Sequence, residues 1–295
     1  MSASLGWFIG TAVMLPLMWW AGVRVGRVTD PTRRGVYIAG VMGLLFLWCW
    51  LIRNPSVAVE VLPLSMLARI EGIGAAPLFI FVVGVAWALG HLKRQRAIVA
   101  VALVMGAGYF VQGGWWMLQQ TPAGAFAMES HGPSMDVLQS QDYSCVPAAC
   151  ATSLRLLGVE TDEGEMARLT ETRPGSGATL IRAMHGLEKR LAHEGLQPQL
   201  IEPSYDQLMA LPTPVLTPLQ YEAAQLHMVS ILNVIPEGVY VADPAVGIEF
   251  IPRARFEEIY RKQAIAFEYT EQTPPAAVVQ ARTSWLRTSA HPTGW

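Results

Sequence analysis

Four long apolar stretches in the first 120 residues constrain this chain more than any other feature. A helix needs about 20 mostly apolar residues to cross the hydrocarbon core of a bilayer, and residues 2–23, 35–52, 72–90 and 97–118 reach or approach that length. These 120 residues carry only nine basic and three acidic side chains. We therefore predict that residues 1–120 form an all-α transmembrane domain of four helices in a lipid bilayer.

The segment 54–71, between the second and third apolar stretches, is less regular. It is mostly apolar but contains two prolines and three charged residues, Pro55, Pro63, Glu60, Arg69 and Glu71. Prolines interrupt a helix and charges are costly in lipid. We interpret this segment as interfacial or re-entrant.

The basic residues between the stretches predict how the domain is oriented, because such residues are retained on the cytoplasmic side. The first connection carries four arginines and the third carries Lys93, Arg94 and Arg96. The second carries Arg53 and Arg69, offset by two acidic residues. Connections one and three are therefore predicted to face the cytoplasm, and the rest of the chain is expected on the outer face of the cell membrane.

The second half of the chain has the composition of a water-exposed domain. It carries 12 Lys+Arg against 20 Asp+Glu, a net charge of −8, which argues against a nucleic-acid partner. Residues 121–134 are small and polar and are interpreted as a linker, residues 135–270 as the domain, and residues 271–295 as a disordered tail. Three cysteines are too few for a disulfide framework.

The pattern of residues 135–270 predicts an α+β domain. Helices are expected from Cys145 to Gly158, over 162–170, and over 179–193, where His185 and His193 are interpreted as surface residues. Strands follow at 215–219, 226–234, 239–242, 248–251 and 264–269, with a helix at 253–260. The sequence Pro-Glu-Gly at 236–238 predicts a hairpin. Helices followed by a largely antiparallel sheet are typical of the α+β class.

Cys145 is the candidate nucleophile. A thiol becomes reactive where its thiolate is favoured, and the positive end of a helix dipole favours it. Cys145 follows three polar residues and opens an apolar helix, whereas Cys150 lies further in and is interpreted as a packing residue.

His227 and Asp243 are the candidate base and the group that orients it. His227 begins an apolar strand, where a solvated residue is not expected, and Asp243 ends the next strand. A hairpin at 236–238 would bring both to the same end of adjacent strands. No HExxH or paired Cys/His spacing occurs, so neither a metal nor a cofactor is predicted.

These residues lie in three segments that resemble the bacteriocin-processing, double-glycine-leader cysteine peptidases. The segments are QSQDYSCVPAAC (139–150), HMVSIL (227–232) and VYVADPAVG (239–247). The resemblance covers roughly 138–267 and implies a papain-like fold. The family pattern places a glutamine six residues before the cysteine, as Gln139 stands here. Transporter-linked members usually have Gly where this chain has Val146, carry an ATPase and hold the peptidase in the cytosol.

The resemblance implies peptide cleavage by acyl transfer through Cys145, His227 and Asp243, with Gln139 in the oxyanion hole. The expected partner is a peptide or protein substrate, with a leader or pro-peptide as one candidate, and the sequence identifies no partner exporter. Two alternatives stay open. One is a non-catalytic peptide-binding module, and the other is an acyl transferase or amidase that uses the same triad.

Overall fold

The computed structural model describes residues 3–90, 93–118, 126, 135–222 and 225–270. Its contacts divide the chain into two compact units, Met1–Gln120 and Thr121–Trp295, which are called unit 1 and unit 2 below. The predicted linker, apart from Phe126, and the predicted disordered tail lie outside the described residues.

All of the regular secondary structure in the described part of unit 1 is helical. Its helices are α1 (Ala3–Gly26), α2 (Pro31–Arg53), α3 (Pro55–Val61), α4 (Leu64–Ile70), α5 (Ala76–Leu89) and α6 (Lys93–Leu118). Helix α2 begins four residues earlier than predicted because Asp30 caps it. The Asp30 carboxylate accepts hydrogen bonds from the backbone N–H groups of Thr32 and Arg33, and Pro31 occupies the first turn, where its missing N–H costs nothing.

The prediction of four membrane-spanning helices is not confirmed. Among the described residues, two helices are long and apolar enough to cross a membrane, over Gly6–Gly26 and Pro31–Arg53. The third predicted span contains a helix of 14 residues, which covers about 21 Å at 1.5 Å per residue and is shorter than a bilayer core. The segment 54–71 forms the two short helices α3 and α4 rather than one continuous element.

Helices α1 and α5 pack closely because small residues line their contact. A Cβ atom added to Gly22 would collide with the backbone carbonyl oxygen of Phe81, and one added to Gly84 would lie 2.7 Å from the carbonyl oxygen of Trp19. Glycines spaced in this way let two helix backbones approach each other, as small residues do in membrane helix pairs.

We expect Gly22→Val to destabilise unit 1 by about 1–3 kcal/mol, because the valine must force the α1 and α5 backbones apart. Thermal unfolding of the detergent-solubilised full chain measures this effect. Gly10→Val on the same helix is the matched control, since a Cβ atom there meets nothing within 4 Å. Equal melting temperatures for the two variants would contradict the assignment.

Unit 2 is an α+β domain. Its elements are α7 (Cys145–Leu156), α8 (Glu163–Leu169), α9 (Leu180–Leu191), β1 (Leu196–Ile201), α10 (Tyr205–Ala210), β2 (Val215–Glu222), β3 (Gln225–Ile235), β4 (Gly238–Asp243), β5 (Gly247–Pro252), α11 (Arg253–Ile259) and β6 (Ala264–Tyr269). The predicted α+β class with an antiparallel sheet is confirmed, and the Pro236–Gly238 turn joins β3 to β4 as expected.

The six strands form one antiparallel sheet in the order β1-β6-β2-β3-β4-β5. Side chains alternate between its faces. On one face, Val229 and Ile231 of β3 join a core cluster that contains Phe256 of α11. On the other, the Ser230 hydroxyl donates to the carbonyl oxygen of Ala149. Helix α7 is therefore anchored against the centre of the sheet.

Two elements of unit 2 were absent from the prediction. Strand β1 contains Pro198 and lies at the sheet edge, where it pairs with β6; a proline is tolerated at an edge because one side needs no ladder hydrogen bonds. Helix α10 has a capping box between Ser204 and Gln207, a signal that is visible in the sequence.

Candidate active site

Cys145 is the first residue of α7, a helix of 12 residues. The turn before it is closed by Ser144, whose hydroxyl donates to the carbonyl oxygen of Gln141 and accepts from the backbone N–H of the same residue. The first backbone N–H groups of a helix lack intrahelical partners, so Cys145 lies at the terminus where the helix dipole is positive and favours an anion.

Cys150 has a different environment from Cys145. It is completely buried, and this burial, together with the nearby Cys145, raises the pKa of its thiol well above the ordinary value. A thiol that stays protonated is a poor nucleophile. Cys145 is partly exposed, so it is the cysteine of unit 2 that a substrate can reach.

His227 and Asp243 form a hydrogen-bonded pair at the ends of β3 and β4. His227 Nε2 lies 2.7 Å from Asp243 Oδ1, and the Cys145 side chain interacts with the same imidazole, whose pKa it raises. Since an imidazole has two ring nitrogens, one ring can join the carboxylate to the thiol. The antiparallel pairing of β3 and β4 brings these distant positions together.

The hydrogen bonds of this site change the pKa values of two groups. Burial alone would lower the pKa of His227, but its interactions with Asp243 and Cys145 outweigh burial and raise that pKa to about 9. Burial would raise the pKa of Asp243, but the bonds from His227 and from the Ala245 N–H lower it. The arrangement therefore favours a charged His227 imidazolium beside an ionised Asp243 carboxylate.

Gln139 lies on a loop that is tied to the rest of the site. Its backbone N–H donates to the carbonyl oxygen of Pro244 at 2.7 Å, directly after Asp243. The neighbouring Ser140 N–H donates to Glu163 Oε1 at 2.9 Å. The side-chain oxygen Oε1 of Gln139 is buried and has no hydrogen-bond partner among the described residues. Most buried polar atoms in proteins have a hydrogen-bond partner.

Glu163 is a residue of this site that the sequence prediction missed. It is fully buried at the start of α8, and its carboxylate fixes the loop that carries Gln139. Acidic residues are almost never fully buried without a partner. No local pattern distinguishes Glu163 from an ordinary acidic residue in a first helical turn.

The other histidines of unit 2 that the structure describes lie elsewhere. His193 is exposed, as predicted, but His185 is 7 % exposed and belongs to the buried side of α9, so its interpretation as a surface residue is wrong. The described residues include no group of three or more His, Cys, Asp or Glu side chains that could hold a metal ion.

We expect Asp243→Asn to lower the pKa of His227 from about 9 toward its ordinary value. The variant removes a carboxylate whose hydrogen bond and charge favour the imidazolium. Histidine-selective NMR of the labelled full chain, with His227→Gln used for assignment, measures the midpoint. Asp206→Asn is the control, because its carboxylate is exposed and lies near Arg253. An unchanged midpoint in Asp243→Asn would show that the carboxylate does not act on this imidazole.

The family model for the Peptidase C39 family matches residues 135–272. An uncharacterised protein of Methanothermobacter thermautotrophicus (strain Delta H) is 33% identical over 139 residues, which are 47% of this chain and 92% of the relative. One of Methanothermobacter marburgensis (strain Marburg) is 33% identical over 147 residues, which are 50% of this chain and 97% of the relative.

Two solved structures are also similar. The peptidase domain of Streptococcus ComA, a bifunctional ABC transporter of a quorum-sensing pathway, has 17% identity and a TM-score of 0.41, and the match covers 45% of this chain and 96% of that domain. A double-glycine-motif protease from an AMS/PCAT transporter, in complex with its leader peptide, has 16% identity and a TM-score of 0.40, with 49% and 98% covered. On the family match and the two archaeal relatives, the chain belongs to the Peptidase C39 family and is a cysteine peptidase.

Proposed function

We propose that this peptidase is anchored in a membrane and cleaves a peptide substrate by means of Cys145, His227, Asp243 and Gln139. One observation carries the proposal. A single imidazole, that of His227, is hydrogen-bonded to Asp243 at 2.7 Å, and the side chain of Cys145, at a helix N-terminus, interacts with the same ring and raises its pKa. This arrangement matches what nucleophilic catalysis by cysteine requires, namely a nucleophile, a base and a group that orients the base.

In the proposed reaction, Cys145 acts as the thiolate and the His227 imidazolium holds the proton. The thiolate attacks the peptide carbonyl carbon, a C–S bond forms, and the carbonyl oxygen becomes an oxyanion. The Gln139 side-chain amide and the Cys145 backbone N–H donate to this oxygen, each contributing on the order of 3 kcal/mol. The C–N bond then breaks as the His227 imidazolium gives its proton to the departing amine.

The second half of the reaction hydrolyses the thioester. His227, now neutral, takes a proton from water, which attacks the acyl carbon, and the C–S bond breaks to restore Cys145. Asp243 keeps the imidazole oriented and stabilises its charged form in both halves. Its lowered pKa supports this role, because the carboxylate then stays ionised at neutral pH.

The surface beside these residues supports a peptide with apolar side chains as the substrate. Three exposed apolar residues lie close to proposed catalytic residues in the sequence, namely Leu138, Leu226 and Val246. The apolar side chains of a bound peptide would shield such residues from water, which is favourable. The motif resemblance to double-glycine-leader peptidases makes a leader peptide ending in Gly-Gly the first substrate to test.

A peptide carrying a thiol-reactive group at the carbonyl of a terminal Gly-Gly tests the proposal. We expect it to label Cys145 in the full chain, and we expect mass spectrometry to show cleavage after Gly-Gly in the matching unmodified peptide. Labelling without cleavage would favour a peptide-binding module. Transfer of the acyl group to an added amine or thiol, without hydrolysis, would favour an acyl transferase.

The helices of unit 1 support membrane anchoring. Two of them have the length and composition of membrane spans. In one of these, α2, Leu51 is the single buried residue, so the rest of the helix surface is at least partly exposed. Large apolar side chains are exposed along α1, α2 and α6, including Leu17, Phe46 and Val104. Soluble monomers rarely expose apolar surface on this scale, whereas lipid would cover it.

We further propose that unit 2 lies on the outer face of the membrane. The connection between α1 and α2 contains or adjoins Arg24, Arg27, Arg33 and Arg34, and basic connections are retained inside. With two or four spans, unit 2 then lies outside, whereas three or five spans would place it inside. A phosphatase fused after Trp295 is expected to be active. Inactivity of that fusion, alongside a fluorescent cytosolic reporter at the same position, would place unit 2 inside.

A further inference from the structure

Tyr221 is an exposed aromatic residue at the end of β2 that has two specific partners. Its ring centroid lies 5.9 Å from that of His227, and its hydroxyl donates to Glu249 Oε1 at 3.2 Å. It is 39 % exposed, so packing of the core does not require it. Because both the ring and the hydroxyl of this tyrosine have partners, the orientation of the side chain is fixed.

The order of the strands shows what the Tyr221–Glu249 hydrogen bond covers. Tyr221 lies on β2 and Glu249 on β5, while β3 and β4 lie between them. Glu249 is opposite Val241, two residues before Asp243. A hydrogen bond from β2 to β5 therefore has to pass over β3 and β4 near the ends that carry His227 and Asp243.

The charges around Tyr221 agree with this placement. Burial, the Glu249 carboxylate and the Asp243 carboxylate each raise the pKa of the Tyr221 hydroxyl, so the phenol stays protonated and remains a hydrogen-bond donor. The distance of 5.9 Å between the ring centroids of Tyr221 and His227 places the Tyr221 side chain close to the His227–Asp243 pair.

We propose that Tyr221, anchored by Glu249, is a positioning residue that covers the His227–Asp243 hydrogen bond and holds the imidazole toward Cys145. A hydrogen bond between charged groups weakens where water competes for it, and a ring over the pair excludes that water. This inference rests on the proposed function, because it assigns Tyr221 to the same His227.

Four variants of the full chain distinguish the effect of the Tyr221 ring from the effect of its hydrogen bond to Glu249. Tyr221→Ala removes both and is expected to lower kcat by about 10-fold with little change in KM. Tyr221→Phe and Glu249→Ala each remove the anchor and are expected to lower kcat by about 3-fold. Tyr221→Phe and Glu249→Ala remove the same hydrogen bond, so the double variant that combines them should be no slower than either single variant. Independent effects would instead multiply to about 10-fold.

Two readouts are measured for each variant. The first is cleavage of a fluorogenic peptide that contains a Gly-Gly leader sequence, analysed as kcat and KM. The second is the rate at which iodoacetamide alkylates Cys145, measured by mass in a Cys49→Ser background because Cys49 is exposed. The alkylation rate needs no knowledge of the substrate and is expected to fall in the same order as kcat. Met209→Ala, exposed to a similar 42 % on α10, is the control and should change neither readout.

The outcomes distinguish this proposal from the proposed substrate. If the unmodified chain fails to cleave the Gly-Gly peptide but alkylation still falls in Tyr221→Ala, the substrate is wrong and the positioning role stands. A raised KM with unchanged kcat and alkylation would make Tyr221 a substrate contact and overturn the proposal. Unchanged alkylation in Tyr221→Ala, or additive losses in the double variant, would also overturn it. Circular dichroism checks that each variant is folded.

Discussion

Cys145→Ala is expected to abolish peptide cleavage, with a loss on the order of 10⁴-fold or more in kcat, because removal of the nucleophile removes the covalent route. Expression and thermal stability should be retained, since Cys145 is partly exposed at the start of α7. Cleavage of the Gly-Gly peptide by the purified full chain, at matched protein concentrations, measures the loss.

Cys150→Ala is the matched control for that experiment. Cys150 lies on the same helix but is completely buried, and burial raises the pKa of its thiol. We expect this variant to keep its kcat and to lose about 1 kcal/mol of stability, because a small buried side chain becomes smaller. An inactive Cys150→Ala together with an active Cys145→Ala would show that the nucleophile has been assigned to the wrong cysteine.

Gln139→Ala is expected to lower kcat by about 100-fold or more with little change in KM, because an oxyanion donor acts mainly in the transition state. The structure supports this expectation by the way it fixes the Gln139 loop. Its backbone donates to the carbonyl oxygen of Pro244, and the adjacent Ser140 N–H donates to Glu163. Steady-state kinetics on the same peptide separates kcat from KM.

Gln141→Ala is the control for the glutamine assignment. Gln141 is also close to Cys145, but its backbone belongs to the turn that Ser144 closes. We expect Gln141→Ala to retain activity within about 3-fold, as surface changes away from the reacting atoms usually do. Normal activity in Gln139→Ala with a large loss in Gln141→Ala would transfer the oxyanion role by two residues.

Much of unit 2 could be predicted because its signals are local. The helix that begins at Cys145 has a polar start and an apolar face, and the Pro236–Gly238 turn lies between two runs of β-branched residues. Such patterns depend on a few neighbouring residues. The family itself was recognised from three short segments and is confirmed by the match over residues 135–272.

Unit 1 was predicted less well because hydropathy does not determine where a helix ends. The stretch 72–90 is apolar throughout, but its helix spans Ala76–Leu89. Its close packing on α1 depends on Gly22 and Gly84 meeting across two helices. A local stretch of sequence carries no information about a contact between two distant helices. An apolar stretch that packs against protein therefore looks the same in the sequence as one that crosses lipid.

The sequence alone determined the fold class of unit 2, its family and the identity of the candidate nucleophile, base and orienting acid. These follow from residue types and from short-range order along the chain. Only the tertiary structure decided that Glu163 fixes the Gln139 loop and that Tyr221, hydrogen-bonded to Glu249, lies beside His227. The physical reason is that these contacts join residues 23 and 28 positions apart through strand order and helix packing, which no local pattern encodes.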